Sequence, residues 1–244
     1  MNHVDNIKRQ DAGFTIIELM LAMTFIAVLL LSIALTVIQI GTIYNKGLAL
    51  KEVNQVSRDI ASDIRRTTAG ALTLNAPTDF VTNAAGGRMC LGNVSYVWNT
   101  AKSLQSTDTA LTSLRTRYAN DTTKLIRFAK VPDISKAYCQ RAGGDSFARR
   151  DILAADVSGT QEMLESGEHN LGINQVRLLT PPASAINGPT AQSLFTFSYV
   201  LSSGNVNTMN ATQTACLAPG VLGSDISYCN VQEFTLVFRV GDRV

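Results

Sequence analysis

A single carboxylate, Glu18, lies inside the thirty-residue run Phe14–Ile43, FTIIELMLAMTFIAVLLLSIALTVIQIGTI, which otherwise carries no formal charge. A charge that leaves water needs a partner, because an unpaired ion in a low-dielectric medium is strongly disfavoured. A plain membrane anchor accounts for the hydrophobicity of this run but not for a carboxylate so near its start. Gly13 stands just before the run. Lacking a side chain, glycine lets another protein approach the backbone closely at low steric cost.

The second group with chemical potential is Cys90, Cys139, Cys216 and Cys229, an even set confined to the polar remainder of the chain. Such a set suits a disulfide framework formed in an oxidising compartment, and four cysteines allow about three pairings. Cys216 with Cys229 is favoured because the two lie close in sequence beside the final strand, which leaves Cys90 for Cys139. Four buried free thiols are the alternative. Zinc is disfavoured, since there is no CxxC spacing and the only histidine besides His3 is His169. No metal site and no cofactor are expected.

Other clusters carry less. Asp151, Asp156, Glu162, Glu165 and Glu168 gather around Gly159 and Gly167. Their spacing matches no EF-hand loop, so a solvated acidic surface is expected. Trp98, Arg115, Arg117 and Tyr118 are of the right types to stack and neutralise single-stranded DNA, but isolated residues do not define a stacking platform, and nucleic acid is disfavoured as a partner. No GxSxG, HExxH, phosphate loop or paired catalytic carboxylates occur, so no enzyme is expected. Charged residues make up 16% of the chain and the formal net charge is +2, which gives no global field pointing to a polyanion.

These residues are positioned by two kinds of element. Twelve of the twenty residues Leu19–Ile38 are Leu, Ile, Val or Phe, each contributing about −0.3 to −0.6 kcal/mol to membrane insertion, so the span tolerates one carboxylate costing about +3 kcal/mol. The run is longer than the apolar core of a secretory signal peptide, about 7 to 15 residues, and lacks the small-residue cleavage site. Lys8 and Arg9 precede it while Lys46, Lys51 and Arg58 follow, so basic residues do not fix its orientation. Beyond it, Ala49, Val53, Val56, Ile60 and Ile64 recur at helical spacing, with Lys51, Glu52, Arg58, Asp59 and Asp63 on other faces. Arg65, Arg66 and Gly70 mark the helix end.

The remainder, rich in Thr, Ser, Asn and Gly, reads as a β domain. Residues 195–201 and 234–240 alternate with period two, and 94–98, 125–131 and 175–179 are weaker strands. Residues 102–118 carry leucines near helical spacing, while Pro181–Ser193 and Ser202–Thr214 read as loops. The expected fold class is α+β, with one long N-terminal helix packed through its second half on a mostly antiparallel sheet.

The stretch KRQDAGFTIIELMLAM, Lys8–Met23, resembles the processing signal of type IV prepilins. In that family a short hydrophilic leader ends in Gly, the next residue is usually Phe, and Glu follows as the fifth mature residue; Gly13, Phe14 and Glu18 match all three. The resemblance implies that a prepilin peptidase cleaves after Gly13 and methylates the new amino group of Phe14, and that Glu18 faces the N-terminal amine of a neighbouring subunit in a filament core. It implies four segments: a leader (1–13), a transmembrane and filament-core helix (14–43), an amphipathic continuation (44–70) and an extracytoplasmic head (71–244).

The head size and the absence of Pro before Pro77 make the chain similar to PilW-type minor pilins and J-type pseudopilins. The expected function is a structural minor pilin near the tip of a type IV pilus. The alternatives are a secretion pseudopilin and an adhesive or DNA-binding tip subunit. The implied partners are other pilins, the peptidase, the membrane assembly platform and, before assembly, membrane lipid. The implied location is a single-pass membrane protein with its head outside, then an extracellular filament.

Overall fold

The computed structural model describes residues 15–71, 74–164, 169–179, 193–225 and 227–240. Gly13, Phe14 and the leader lie outside the described residues, as do Glu165, Glu168 and nearly all of the loop expected at 181–193. The chain divides into two compact units, one ending at Tyr44 and the other beginning at Asn45.

The first unit is the start of α1 (Ile16–Ala69), and the side chains of its large apolar residues from Ile16 to Tyr44 are all exposed. It is the one helix among the described residues long and apolar enough to cross a membrane. Its hydroxyls are handled internally: Thr24, Ser32, Thr36 and Thr42 each donate to a carbonyl three or four residues earlier, at 2.8–3.1 Å. Groups satisfied in this way cost little in a medium without water.

In the second unit α1 buries Ala49, Val53, Ser57, Ile60, Asp63, Ile64 and Thr68, a stripe at helical spacing. The chain then forms α2 (Ala76–Asp79), β1 (Phe80–Thr82), β2 (Gly86–Leu91), β3 (Val94–Asn99), α3 (Ala101–Gln105) and α4 (Thr109–Thr112). The hairpin β4 (Arg117–Tyr118) and β5 (Asp121–Leu125) precedes β6 (Phe128–Pro132). The small hairpin β7 (Arg141–Gly143) and β8 (Ser146–Phe147), then α5 (Ala154–Val157) and β9 (Gln161–Glu162), follow. The long strands β10 (Gly172–Leu179), β11 (Ser193–Ser203) and β12 (Asn230–Val240) complete the described elements.

Two antiparallel sheets result, in the order β1-β2-β3-β6-β9 and β10-β11-β12. Both send alternate residues to the same face of α1. Val53, Ile60 and Ile64 pack with Met89, Tyr96, Trp98 and Phe128 of the first sheet and with Phe197, Tyr199 and Leu236 of the second. The β11–β12 pairing runs unbroken from Ser193 opposite Val240 to Ser203 opposite Asn230. It stacks Phe195 on Phe238 and Tyr199 on Phe234 at centroid distances of 5.9 and 5.8 Å. The opposite face of the first sheet is covered by a second cluster in which Val97, Ala129 and Val131 meet Tyr118, Tyr138 and Ile152.

Three expectations are corrected. Asp63, placed by periodicity on an outer face, is buried; its carboxylate accepts from the Tyr96 hydroxyl at 2.6 Å and from Lys130 Nζ at 3.0 Å, so a charge at the edge of the apolar stripe is compensated from the sheet. Residues 102–118 do not form one helix. The Thr100 hydroxyl caps α3 by accepting from Ser103 N–H, and Asp108 caps α4 by accepting from Ala110 N–H, so Ser, Thr and Asp side chains divide the stretch into two short turns. The strand expected over 125–131 breaks into β5 and β6, because Glu162 Oε1 takes the backbone N–H of both Arg127 and Phe128.

Disulfides join Cys90 to Cys139 and Cys216 to Cys229, with Cα separations of 6.2 and 6.0 Å and sequence separations of 49 and 13 residues. Loop-closure entropy makes the longer one worth about 4 kcal/mol and the shorter about 3 kcal/mol. Urea unfolding of the full chain in detergent, with each pair replaced by alanine in turn, should show losses of roughly those sizes, larger for Cys90–Cys139. A larger loss for Cys216–Cys229 would contradict the ordering.

Candidate functional site

The first described residues form a reciprocal cap at the start of α1. Thr15 N–H and Thr15 Oγ1 both donate to Glu18 Oε2, at 3.0 and 2.9 Å, and Glu18 N–H donates back to Thr15 Oγ1 at 3.3 Å. This is the T-x-x-E capping box, in which two N–H groups left without intrahelical partners are satisfied by side chains. Glu18 also lies in the first turn, where the helix dipole favours negative charge. Its second oxygen, Oε1, has no hydrogen-bond partner among the described residues. Cutting the chain after Gly13 would leave the Thr15 N–H an amide, so the box is compatible with such a cut.

Sequence reasoning singled out Glu18 but missed Thr15. The signal was present, since Ser or Thr followed three residues later by an acid ahead of an apolar run is a helix-start signature. Gly13 and Phe14, the other two residues of the motif, lie outside the described residues.

The chemistry-bearing clusters of the head have protein partners. Trp98 and Tyr118 are core residues, 1% and 5% exposed, so neither offers a free face for a base. The described acids of the 151–168 group are also engaged. Asp151 pairs with Arg150, Asp156 accepts from the Tyr138 hydroxyl at 2.6 Å, and Glu162 accepts from two backbone amides and the Tyr118 hydroxyl. No group of three or more His, Cys, Asp or Glu suited to a metal occurs among the described residues.

Two further features were not anticipated. Arg88 is fully buried beneath the Phe147 ring at 4.3 Å, and its guanidinium donates to the carbonyls of Gly87 and Arg150 and to Thr116 Oγ1. Burial pushes it below the ordinary arginine value, against the opposing pull of Tyr138 and Asp151. His169 contacts Glu52 of α1 through Nδ1 and lies against Tyr228, with ring centroids 6.4 Å apart.

An open cavity of about 630 Å³ lies between α3 and the β5–β6 turn, lined by Gln105, Lys124, Arg127, Glu162 and Asn170 among others. The Arg127 guanidinium is spent on the Leu171 carbonyl and the Asn170 side chain, and Glu162 on the β6 backbone. The cavity therefore presents a satisfied polar wall rather than convergent free groups. No family model, curated protein or solved structure matches the chain.

Burial raises the Glu162 carboxyl above its ordinary value of 4.5, against the opposing pull of its amide donors. The folded state then holds this proton more tightly than the unfolded chain. Its contribution to stability is full below the unfolded value and is lost as pH rises through the folded one. Chemical denaturation from acid to neutral pH should show Glu162→Gln removing that part of the decline. Identical pH slopes for the variant and the wild type would contradict the assignment.

Proposed function

We propose that the chain is a type IV prepilin-like protein, processed after Gly13 and built into an extracytoplasmic filament through α1, most closely a minor pilin. The observation that carries this reading is the start of α1. There a carboxylate held by Thr15, with its other oxygen unengaged among the described residues, opens a helix whose large apolar side chains from Ile16 to Tyr44 are all exposed. A bilayer before assembly and the apolar helices of other subunits afterwards are the surroundings that suit such a surface. The oxidised head supports an exported location.

In this reading cleavage exposes the α-amino group of Phe14, whose reference pKa near 8 keeps it largely protonated at neutral pH. Glu18 of one subunit meets that cation on the next. The capping box fixes the rotamer of Glu18 through Oε2 and leaves Oε1 as the acceptor, which lowers the ordering cost of the intersubunit pair. The head, folded from Asn45 onward around its own core, is a structural and interaction module rather than an enzyme. A position below the extreme tip fits a subunit that keeps its Glu.

One set of variants tests the proposal. Mass spectrometry of the wild type should find a mature chain beginning at N-methylated Phe14, and Gly13→Val should stay full length. Thr15→Val and Glu18→Ala both break the capping box, at about 1 kcal/mol of helix stability. Only Glu18→Ala removes the carboxylate, so recruitment into filaments should be lost with Glu18→Ala and largely kept with Thr15→Val. An uncut wild type would refute the proposal, and equal recruitment of the two variants would reduce Glu18 to a helix cap.

A further inference from the structure

The connection between β11 and β12, residues 204–229, holds a single charged residue, Asp225. It closes with the Cys216–Cys229 disulfide and carries the most exposed large apolar side chain of the described head, Leu222, at 99%. Leu222 is not there through looseness of fold. Gly220 and Gly223, both with positive φ near 88°, bracket Val221–Leu222, and Ser224 N–H closes the turn onto the Val221 carbonyl at 3.0 Å. The one charge is turned inward, with Asp225 Oδ1 accepting the N–H of Ser227 and Tyr228 at 2.9 and 3.0 Å.

Contacts within the head locate this loop. Tyr199 on β11 meets Ser57 of α1 at 3.0 Å, and β11 then runs four residues further to Ser203, about 13 Å at 3.3 Å per residue. Beyond the disulfide, Tyr228 accepts a hydrogen bond from Asn45 at 3.3 Å and lies against His169, which holds Glu52. Asn45 and Glu52 are seven residues apart on one face of α1, and Asn45 is the first residue of the folded unit, two residues beyond the apolar run. Lys46, exposed beside it, is of the charge that anionic headgroups attract.

We infer that the disulfide-closed loop is a membrane-interface contact, with Val221 and Leu222 entering the headgroup boundary of the bilayer that α1 crosses and Tyr228 at the water-facing side. The inference rests on the reading of Phe14–Ile43 as a membrane span. A near-uncharged segment with a projecting aliphatic tip and a flanking tyrosine matches the chemistry of the lipid interface. A convex, single-leucine tip is not the concave, multi-anchor surface of a helix-binding groove.

The test uses the full chain in vesicles whose lipids carry bromine on the acyl chains near the headgroup, with tryptophan as the reporter. Trp98 is buried in the core and supplies a constant background. Three variants are compared: Leu222→Trp, Phe25→Trp within the span, and Ile134→Trp. Ile134 is 83% exposed and adjoins Asp133, whose N–H bonds the Asn93 carbonyl. A Cβ added at nearby Gly92 would come within 3.8 Å of Ala71, so this turn lies at the other end of the head-borne part of α1, about 36 Å away at 1.5 Å per residue.

Quenching and a blue shift for Leu222→Trp well above Ile134→Trp, with Phe25→Trp quenched, is the expected result. Quenching of Phe25→Trp alone would overturn the loop contact while leaving the span intact. No quenching of Phe25→Trp would remove the span and the inference with it. Cross-linking of position 222 to another subunit in filaments, without lipid quenching, would overturn the inference in favour of a protein partner.

Discussion

The apolar surface of α1 from Ile16 to Ile43 is the constraint around which the chain is organised, because every large apolar side chain along it is exposed. Twelve of the twenty residues Leu19–Ile38 are Leu, Ile, Val or Phe, which makes the helix long and apolar enough to cross a bilayer, where every backbone group must be satisfied within the helix. The same helix then changes character. From Ala49 to Thr68 only one stripe is apolar, and that stripe is the shared floor of two sheets. The head must therefore build its core around a helix it does not own entirely. It does so with aromatic rows from both sheets and with polar anchors at Ser57 and Asp63 that fix the rotation of the helix.

The polar anchors also fix register. A helix packed only by Val53, Ile60 and Ile64 has few obstacles to a small rotation. The Tyr199 hydroxyl bonded to both Ser57 Oγ and the Ser57 carbonyl, and Asp63 held by Tyr96 and Lys130, accept only one arrangement. Compensated burial of this kind is weak evidence of net stability, but it penalises alternatives strongly, since a displaced Asp63 would be a buried charge without a cation. Disulfides then tie β2 to the buried turn at Cys139 through Cys90, and close the β11–β12 connection between Cys216 and Cys229.

Much of this was legible in the sequence where a physical period dominates. The length and apolarity of the N-terminal helix are plain in the sequence, and the helical stripe and the alternation of β11 and β12 follow from burial on one face; the helix falls within its expected bounds and the two strands exceed theirs by a few residues. What was not legible depends on partners distant in sequence. Asp63 looks like a surface residue until Lys130 is brought beside it, and residues 125–131 look continuous until Glu162, more than thirty positions away, captures two amides. Trp98 and Tyr118 were of the type that stacks on bases, the latter beside Arg115 and Arg117, but both rings are buried in the core. Thr15 was a different kind of omission, a local cap with a local signature, overlooked beside the more conspicuous Glu18.

We propose that α1 carries this chain into a filament as one of its rarer subunits. Quantitative proteomics of filaments sheared from the cell surface, with the membrane fraction measured in parallel, tests it most directly. The expected result is recovery of the chain in the sheared fraction, shortened at its N-terminus and far less abundant than a smaller subunit with the same kind of apolar N-terminal helix. Recovery only in the membrane fraction, with no trace in sheared filaments, would contradict it.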